Sequence, residues 1–258
     1  MLPNMFGNEK KEGGATRPII AGPLKLILNK KPKNVTVLEG FPGFGLIGTI
    51  ATEFLLDHLD TEKIGSIQIN DAPAMIAIHE NKIVEPISVH YNKKYNMVII
   101  HSIHTGKGQG WMIGEKIAEL AEILKAKEII SLEGVGSLKP STTNNIYYYT
   151  TRKTREKKLK TVAKPLTEGI IVGVTGAVLA REKNIPVTAL FAETATNMPD
   201  SKAAAMIIKS LDKYLGLKVD YAPLLKQAKD FENKLKGMMS KTKEVHKIQK
   251  KKELNYVG

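Results

Sequence analysis

A cluster of glycines near residue 45 is the first feature that could support chemistry. Residues 43–48 (GFGLIG) match the GxGxxG pattern of dinucleotide-binding turns, between a short apolar run and a helix-like one. In such a turn the backbone approaches a pyrophosphate closely, and the free N–H groups that open the helix attract the anion. The sequence therefore allows a nucleotide or nucleoside site at residues 43–48.

The same residues also have a structural interpretation. A sharp turn from a strand into a closely packed helix needs residues without a Cβ, and proline stiffens it. The dinucleotide fingerprint also requires an acidic residue after the second strand, where Asp71 is only a loose match. We favour a structural turn and keep the nucleotide site as the alternative. The turn residues are Gly40, Pro42, Gly43, Gly45 and Gly48.

Two glutamates, Glu133 and Glu193, follow predicted buried strands. In an open α/β sheet such positions lie at the carboxyl edge, so the two carboxylates could face one crevice, close to Ser137, and perform acid–base chemistry. They could equally cap helices or pair with Lys139. Because no nucleophile, base and orienting group accompany them, we predict no catalytic residues and no enzymatic activity.

The six histidines do not suggest a metal site. His101 and His104 are three residues apart at the end of a predicted strand, which would place them on opposite faces. The sequence has no HExxH motif, and it has no cysteine, which excludes disulfides, thiol catalysis and cysteine-ligated zinc. We predict no metal and no cofactor.

The formal net charge is +13, and much of it lies near the C-terminus. Residues 226–253 hold ten lysines and four acids, and residues 152–160 form a second basic run. Lysine without interleaved aromatic residues favours diffuse attraction to an acidic surface over nucleic-acid binding. No apolar run reaches the ~18 residues of a membrane span, and residues 1–18 do not resemble a secretory signal. We expect a cytoplasmic protein.

Strand-like and helix-like segments alternate between residues 23 and 221. This alternation predicts an α/β fold, with a mostly parallel or mixed central sheet flanked by helices on both faces. A hairpin is expected near residues 74–91. The predicted strands are 23–28, 36–41, 63–70, 97–103, 128–132, 146–151 and 186–193, and the predicted helices are 46–59, 111–125, about 174–182 and 201–215, the last capped by Asp200 or Ser201.

The chain after residue 221 has a different pattern. Apolar residues recur at alternating intervals of three and four, which is the spacing of a helix that pairs with another helix. We predict three regions: a mobile arm over 1–22, an α/β domain over 23–221 and a long, lysine-rich helical extension over 222–258. The central seam positions are Phe231, Leu235, Met238 and Val245.

Four segments together resemble the archaeal branch of the proteasome assembly chaperone family. They are residues 38–48 (LEGFPGFGLIG), 169–179 with their glycine-punctuated helix start, 193–194 (ET) and 198–204 (MPDSKAA), in an order that covers about residues 23–225. The resemblance implies a mixed-sheet α/β fold, no established catalytic residues and a homo-oligomer. It also implies binding to the α-subunits of the 20S proteasome, as an assembly chaperone or an ATP-independent activator.

The end of the chain is the region that would contact the proteasome. An aromatic and apolar terminus after a lysine-rich helix can be captured in a pocket of a partner. Family members that dock on the proteasome end in a hydrophobic residue, a tyrosine and one further residue, whereas here the tyrosine is third from the end and follows Asn255. The expected contact residues are Leu254, Tyr256, Val257 and Gly258.

Overall fold

A computed structural model describes residues 24–70, 76–79, 82–106, 108–136, 145–194, 198–226 and 237. The strands in these ranges are β1 (Leu24–Leu28), β2 (Thr36–Gly40), β3 (Glu62–Ile69), β4 (Ala77–His79), β5 (Lys82–Val84), β6 (Ile87–Asn92), β7 (Met97–Ser102), β8 (Glu128–Gly136), β9 (Ile146–Thr150), β10 (Lys164–Pro165) and β11 (Val187–Thr194). The helices are α1 (Ile47–His58), α2 (Gly110–Ile123), α3 (Lys153–Leu159), α4 (Val174–Arg181) and α5 (Ser201–Leu215). None of these helices combines the length and apolar character that crossing a membrane requires.

Nine of the described strands form one mixed sheet, in the order β1-β3-β6-β7-β2-β8-β11-β9-β10. Its centre, β7-β2-β8-β11, is parallel, and the strands on either side join mainly through antiparallel pairs. In the sheet β2 lies between β7 and β8, so the chain goes from β2 to one neighbour, β7, and then crosses to the other neighbour, β8. The carboxyl ends of β2, β7 and β8 therefore meet at a topological switch point, the usual place for a ligand in an open α/β sheet.

Helices cover both faces of the sheet, as the alternating sequence pattern predicts. On one face α1 and α5 pack in a core that includes Leu38, and on the other α2 and α4 pack in a core that includes Val37. Neighbouring residues of β2 thus contribute to opposite cores, because successive side chains of a strand point to opposite faces. Both faces of the central strands are buried, which explains their apolar sequences.

The structure confirms the α/β class with a central mixed sheet, and it corrects some details of the predicted elements. Helix α5 begins after Asp200, whose side chain accepts a hydrogen bond from the N–H of Ala203, so Asp200 is the N-cap. Strand β8 continues to Gly136, four residues beyond the predicted end, so Glu133 lies within the strand. Helix α3 was not predicted, since its lysines and arginine look like a solvated basic run, although such residues are also good helix formers.

A buried polar network attaches α3 and α5 to the first residue of β8. The Glu128 carboxylate accepts hydrogen bonds from Arg155 of α3 at 2.7 Å, from the Tyr214 hydroxyl of α5 at 3.0 Å, and from Thr188 of β11 at 2.5 Å. Burial raises the pKa of Glu128, while Thr188 and Arg155 oppose the rise. Each donor therefore compensates part of the cost of burying this carboxyl.

We predict that Tyr214→Phe lowers the free energy of unfolding by about 1–3 kcal/mol, because it removes one donor to a buried carboxyl. The measurement is urea unfolding at neutral pH. Tyr149→Phe is the matched control, since Tyr149 is 48% exposed and its change should stay within about 0.5 kcal/mol. Equal effects of the two substitutions would contradict the role assigned to the network.

Candidate functional site

The candidate site begins at the turn between β2 and α1. After β2 the chain passes through Gly43 and one 3-10 turn (Phe44–Leu46) before α1 starts at Ile47. Gly45 has a φ of 65°, a left-handed conformation that favours glycine. A Cβ on Gly40 would overlap the carbonyl oxygen of Gly48, and one on Gly48 would overlap the carbonyl oxygen of Leu132 in β8. The missing side chains let α1 lie directly against β2 and β8.

The Glu133 side chain occupies the space beside the first glycine of the GxGxxG segment. A Cβ on Gly43 would overlap the Oε1 atom of Glu133. That oxygen accepts a hydrogen bond from the N–H of Gly134 at 3.1 Å, and Oε2 accepts one from the Thr175 hydroxyl at 3.3 Å. Thr175 belongs to the first turn of α4. The carboxylate therefore joins the glycine turn, β8 and α4.

This arrangement is unfavourable for a phosphate. In a dinucleotide-binding turn the pyrophosphate approaches the glycine backbone at the start of the helix, and here a glutamate carboxylate already lies against that backbone. No lysine or arginine of the described residues lines the cavity next to it. The geometry thus opposes the nucleotide alternative for residues 43–48.

A second carboxyl group, Glu39, lies behind the first. Glu39 is fully buried in β2, and neither of its carboxyl oxygens makes a hydrogen bond of ordinary geometry with a described residue. Burial raises its pKa to about 8, the charge of Glu133 adds to the rise, and the nearby hydroxyls of Ser131 and Thr175 oppose it. At neutral pH the protonated form of Glu39 predominates.

Burial also dominates the ionisation of Glu133. It raises the pKa of this carboxyl to about 7, although the Gly134 N–H and the Thr175 hydroxyl favour the charged form. Glu133 therefore changes its charge near neutral pH, next to a neighbour that titrates slightly higher. Two adjacent carboxyl groups with raised pKa values at a switch point are typical of a ligand site, although structural groups also show such shifts.

Glu133 lines a cavity of about 970 Å³, whereas Glu39 is buried in β2 and does not line it. Its walls come from the glycine turn, the end of β8, the start of α2 and the segment that leads into α4. Its lining is mostly apolar side chains and glycine backbone, with Glu133 as the ionisable side chain among the described lining residues. The wall side chains include Phe41, Phe44, Trp111, Ile170, Val172 and Ala177.

The structure separates the two glutamates that the sequence analysis placed in one crevice. Glu133 lines the cavity, whereas Glu193 of β11 accepts a hydrogen bond from the Asn145 side chain at 2.7 Å and does not line it. Glu39 was not predicted as a site residue. The one sequence feature that indicates it is an acidic residue within the apolar strand sequence TVLEG. It also missed Thr175 and Trp111, which sequence patterns do not distinguish from ordinary helix residues.

The two histidines near the end of β7 do not form a metal site with each other among the described residues. His101 is buried on β7, with Nδ1 2.9 Å from the Thr52 hydroxyl oxygen and Nε2 2.7 Å from the Glu53 carboxylate, both on α1. His104 lies beyond the end of β7. The part of the chain that the structure describes contains no cluster of three metal-binding side chains.

Several predicted residues lie outside the described ranges. These residues are Ser137 and Lys139, the seam positions Phe231, Leu235, Met238 and Val245, and the tail positions Leu254, Tyr256, Val257 and Gly258. Of the predicted extension, residues 222–226 are helical. The seam and the tail remain predictions.

We predict that Glu39→Gln flattens the dependence of stability on pH. A carboxyl whose pKa is raised by folding stabilises the protein below its unfolded pKa, and this contribution is lost as the pH rises through about 8. The wild-type free energy of unfolding should therefore fall between about pH 5 and pH 9, by on the order of a few kcal/mol. Urea unfolding across this range should show a shallower decline for Glu39→Gln.

The control for this experiment is Glu122→Gln, which removes an exposed carboxyl of α2. Its curve should have the same shape as that of the wild type. Parallel curves for the wild type and Glu39→Gln would show that Glu39 does not retain its proton in the folded state.

Comparisons with solved structures identify relatives of the whole fold. PbaA of Pyrococcus furiosus, described as an archaeal homologue of proteasome-assembly chaperone, is 30% identical, with a TM-score of 0.78 over 87% of this chain and 100% of that one. PbaB of the same organism, described as an archaeal proteasome activator, is 19% identical, with a TM-score of 0.70 over 85% of this chain and 100% of that one, and shows the shared fold.

Comparisons of sequence agree with this result. An uncharacterised protein of Methanocaldococcus jannaschii is 24% identical over 208 residues, which are 80% of this chain and 86% of the relative. The model of the PAC2 family matches residues 37–239, a range that includes the glycine turn, both buried glutamates and the cavity walls. The chain therefore belongs to the PAC2 family.

Proposed function

We propose that this protein is a non-enzymatic assembly chaperone or ATP-independent activator of the 20S proteasome. The observation that carries the proposal is the likeness to PbaA, which extends over 87% of this chain at 30% identity. A proteasome partner would place the protein in the cytoplasm, where the sequence analysis also places it.

The buried acids support a non-enzymatic role. Glu39 has no access to solvent, and the hydroxyl groups beside the pair belong to Ser131, which is buried within β8, and to Thr175, which already donates to Glu133. Hydrolysis through a covalent intermediate needs an accessible nucleophile with an adjacent base. The described residues of this site do not provide that combination.

We propose that the extension carries the contact with the proteasome. It starts with the helical residues 222–226, and a continuous helix over the next 27 residues would reach about 40 Å from the domain. That distance would separate the tail (Leu254, Tyr256, Val257 and Gly258) from the body. The ten lysines along the extension would speed the encounter with an acidic α-subunit surface, an effect that salt weakens.

We further propose that the seam of the extension pairs copies of the chain. Its apolar positions form a narrow stripe rather than the wide face of a helix that packs on its own domain. A homo-oligomer would present several tails to the proteasome at once, and simultaneous binding would strengthen a weak individual contact.

The tail should be required for binding to the proteasome. Deletion of residues 254–258 should abolish binding to purified 20S proteasome and any stimulation of peptide hydrolysis, because it removes the apolar anchor while leaving the lysines. A pull-down and a fluorogenic peptide assay provide the two measurements. Tyr256→Ala should lose most of the binding, whereas the adjacent Asn255→Ala should retain it. Full binding by the deletion variant would refute the tail contact.

The seam should be required for the oligomer. A Leu235→Lys/Met238→Lys variant should run as a smaller species than the wild type in size-exclusion chromatography with light scattering, because it places charges within the apolar stripe. Lys234→Ala, next to the seam, is the control and should keep the wild-type mass. An unchanged mass for the double variant would assign oligomerisation, if it occurs, to the α/β domain.

A further inference from the structure

The cavity above Glu133 has no role in the proposed contact with the proteasome. We propose that it binds an aliphatic cation, the ammonium or guanidinium group of a lysine- or arginine-like ligand, with the Glu133 carboxylate as counter-ion and the apolar walls around the ligand's stem. This inference is independent of the tail and of the seam. It concerns a different part of the molecule and has its own experiment.

The negative charge that would pair with the cation comes from Glu133. It is the ionisable side chain among the described residues that line the cavity, and its two carboxylate oxygens are held in place by the Gly134 N–H and the Thr175 hydroxyl. Each hydrogen bond uses one lone pair of one carboxylate oxygen. Each oxygen can therefore accept a further hydrogen bond from a donor in the cavity. An ammonium or guanidinium group has only donors and therefore matches these acceptors.

The walls suit an apolar stem. Phe44 and Trp111 stand at the entrance with 44% and 53% of their surfaces exposed, and Ile170 and Val172 of the segment before α4 are 92% and 67% exposed. Lysine- and arginine-like chains bury their methylene groups along such surfaces while the charged end reaches a partner. Aromatic faces near the path attract a cation as well.

The rim already shows this type of recognition. The Arg181 guanidinium lies 4.8 Å from the centre of the Trp111 ring and forms an ion pair with Glu115 of α2. An organic cation, an indole face and a carboxylate thus combine at the entrance of the same cavity. This intramolecular contact leaves the Glu133 carboxylate available, because Arg181 is not among the residues that line the cavity.

The alternatives have less support in the geometry. An anionic ligand would meet the Glu133 carboxylate without a described lysine or arginine in the lining. A wholly apolar ligand would bury Glu133 further without supplying a partner, and an unpaired buried charge is costly. A neutral ligand with a carbonyl group would instead need Glu133 in its protonated form, which predicts the opposite dependence on pH.

Few charged groups of the described residues surround Glu133. Glu39 of β2 faces it, Thr175 of α4 and Gly43 of the turn are uncharged, and from α1 Glu53 pairs with His101 at 2.7 Å. Among the described residues, the Arg181–Glu115 pair of α4 and α2 adds a further charged group beside Trp111. A bound cation would stabilise the ionised form of Glu133. Burial raises the pKa of this carboxyl to about 7, so binding at a lower pH must release its proton.

The experiment uses the full chain and its single tryptophan, Trp111, as the reporter. The probe is the capped tripeptide acetyl-Leu-Lys-Leu-amide, compared with the same peptide carrying norleucine in place of lysine. We expect saturable changes in Trp111 fluorescence with the lysine peptide only. Affinity should be about tenfold higher at pH 8 than at pH 6, since the ionised fraction of a group that titrates near 7 changes by that factor.

Two variants test the counter-ion. Glu133→Gln keeps the shape of the side chain and should lose at least tenfold in affinity at pH 8 together with the pH dependence. Glu122→Gln removes a carboxyl from the exposed side of α2 and should bind as the wild type does. If Glu133→Gln does not fold, the sign of the wild-type pH dependence alone still decides between a cation and a neutral acceptor.

A free diamine identifies the source of the cation. Cadaverine that saturates the signal with the same pH dependence would support the cation site and assign it to small amines, and binding of the peptide alone would assign it to a side chain of a protein partner. Equal affinity for the norleucine peptide, tighter binding at pH 6, or competition by inorganic phosphate would each overturn the proposal.

Discussion

The close approach of α1 to β2 and β8 is the constraint on which the candidate site depends. Because Gly40 and Gly48 lack a Cβ, the first turn of α1 rests against the backbone of both strands. The same approach brings the glycine turn next to β8, where a Cβ on Gly134 would overlap the carbonyl oxygen of Phe44. A larger residue at these positions would separate the helix from the sheet, and the floor of the cavity would lose its shape.

This packing also explains why a GxGxxG sequence is a weak indicator of a nucleotide site. The pattern specifies a sharp strand-to-helix turn with close backbone contacts, and a pyrophosphate is only one group that can use the resulting space. Here the space beside Gly43 holds the Glu133 carboxylate. The motif therefore predicted the local structure, and a residue 90 positions further along the chain determined its chemistry.

The sequence predicted the features that depend on residues close together in the chain, and it missed those that depend on contacts between distant residues. Periodic apolar residues predicted α2, and a local start signal with Asp200 or Ser201 as the N-cap predicted α5, for which the structure assigns the cap to Asp200. Helix α3 depends on contacts that no local pattern records, since Arg155 reaches Glu128 from 27 residues away. The proximity of Glu39 to Glu133 likewise depends on β2 and β8 being neighbours, which the crossover through β7 and α2 decides.

Exposed lysines lie just before three of the central parallel strands, although Glu128 also opens β8 at that edge. Lysines precede the central parallel strands at the amino edge, with Lys33 before β2, Lys94 before β7 and Lys127 before β8, whereas Glu39 and Glu133 lie toward the carboxyl edge. The proposed cation would therefore meet a carboxylate at the carboxyl edge, away from these lysines. Because a parallel strand has its carboxyl end on the side opposite its amino end, the fold itself keeps the two surfaces apart.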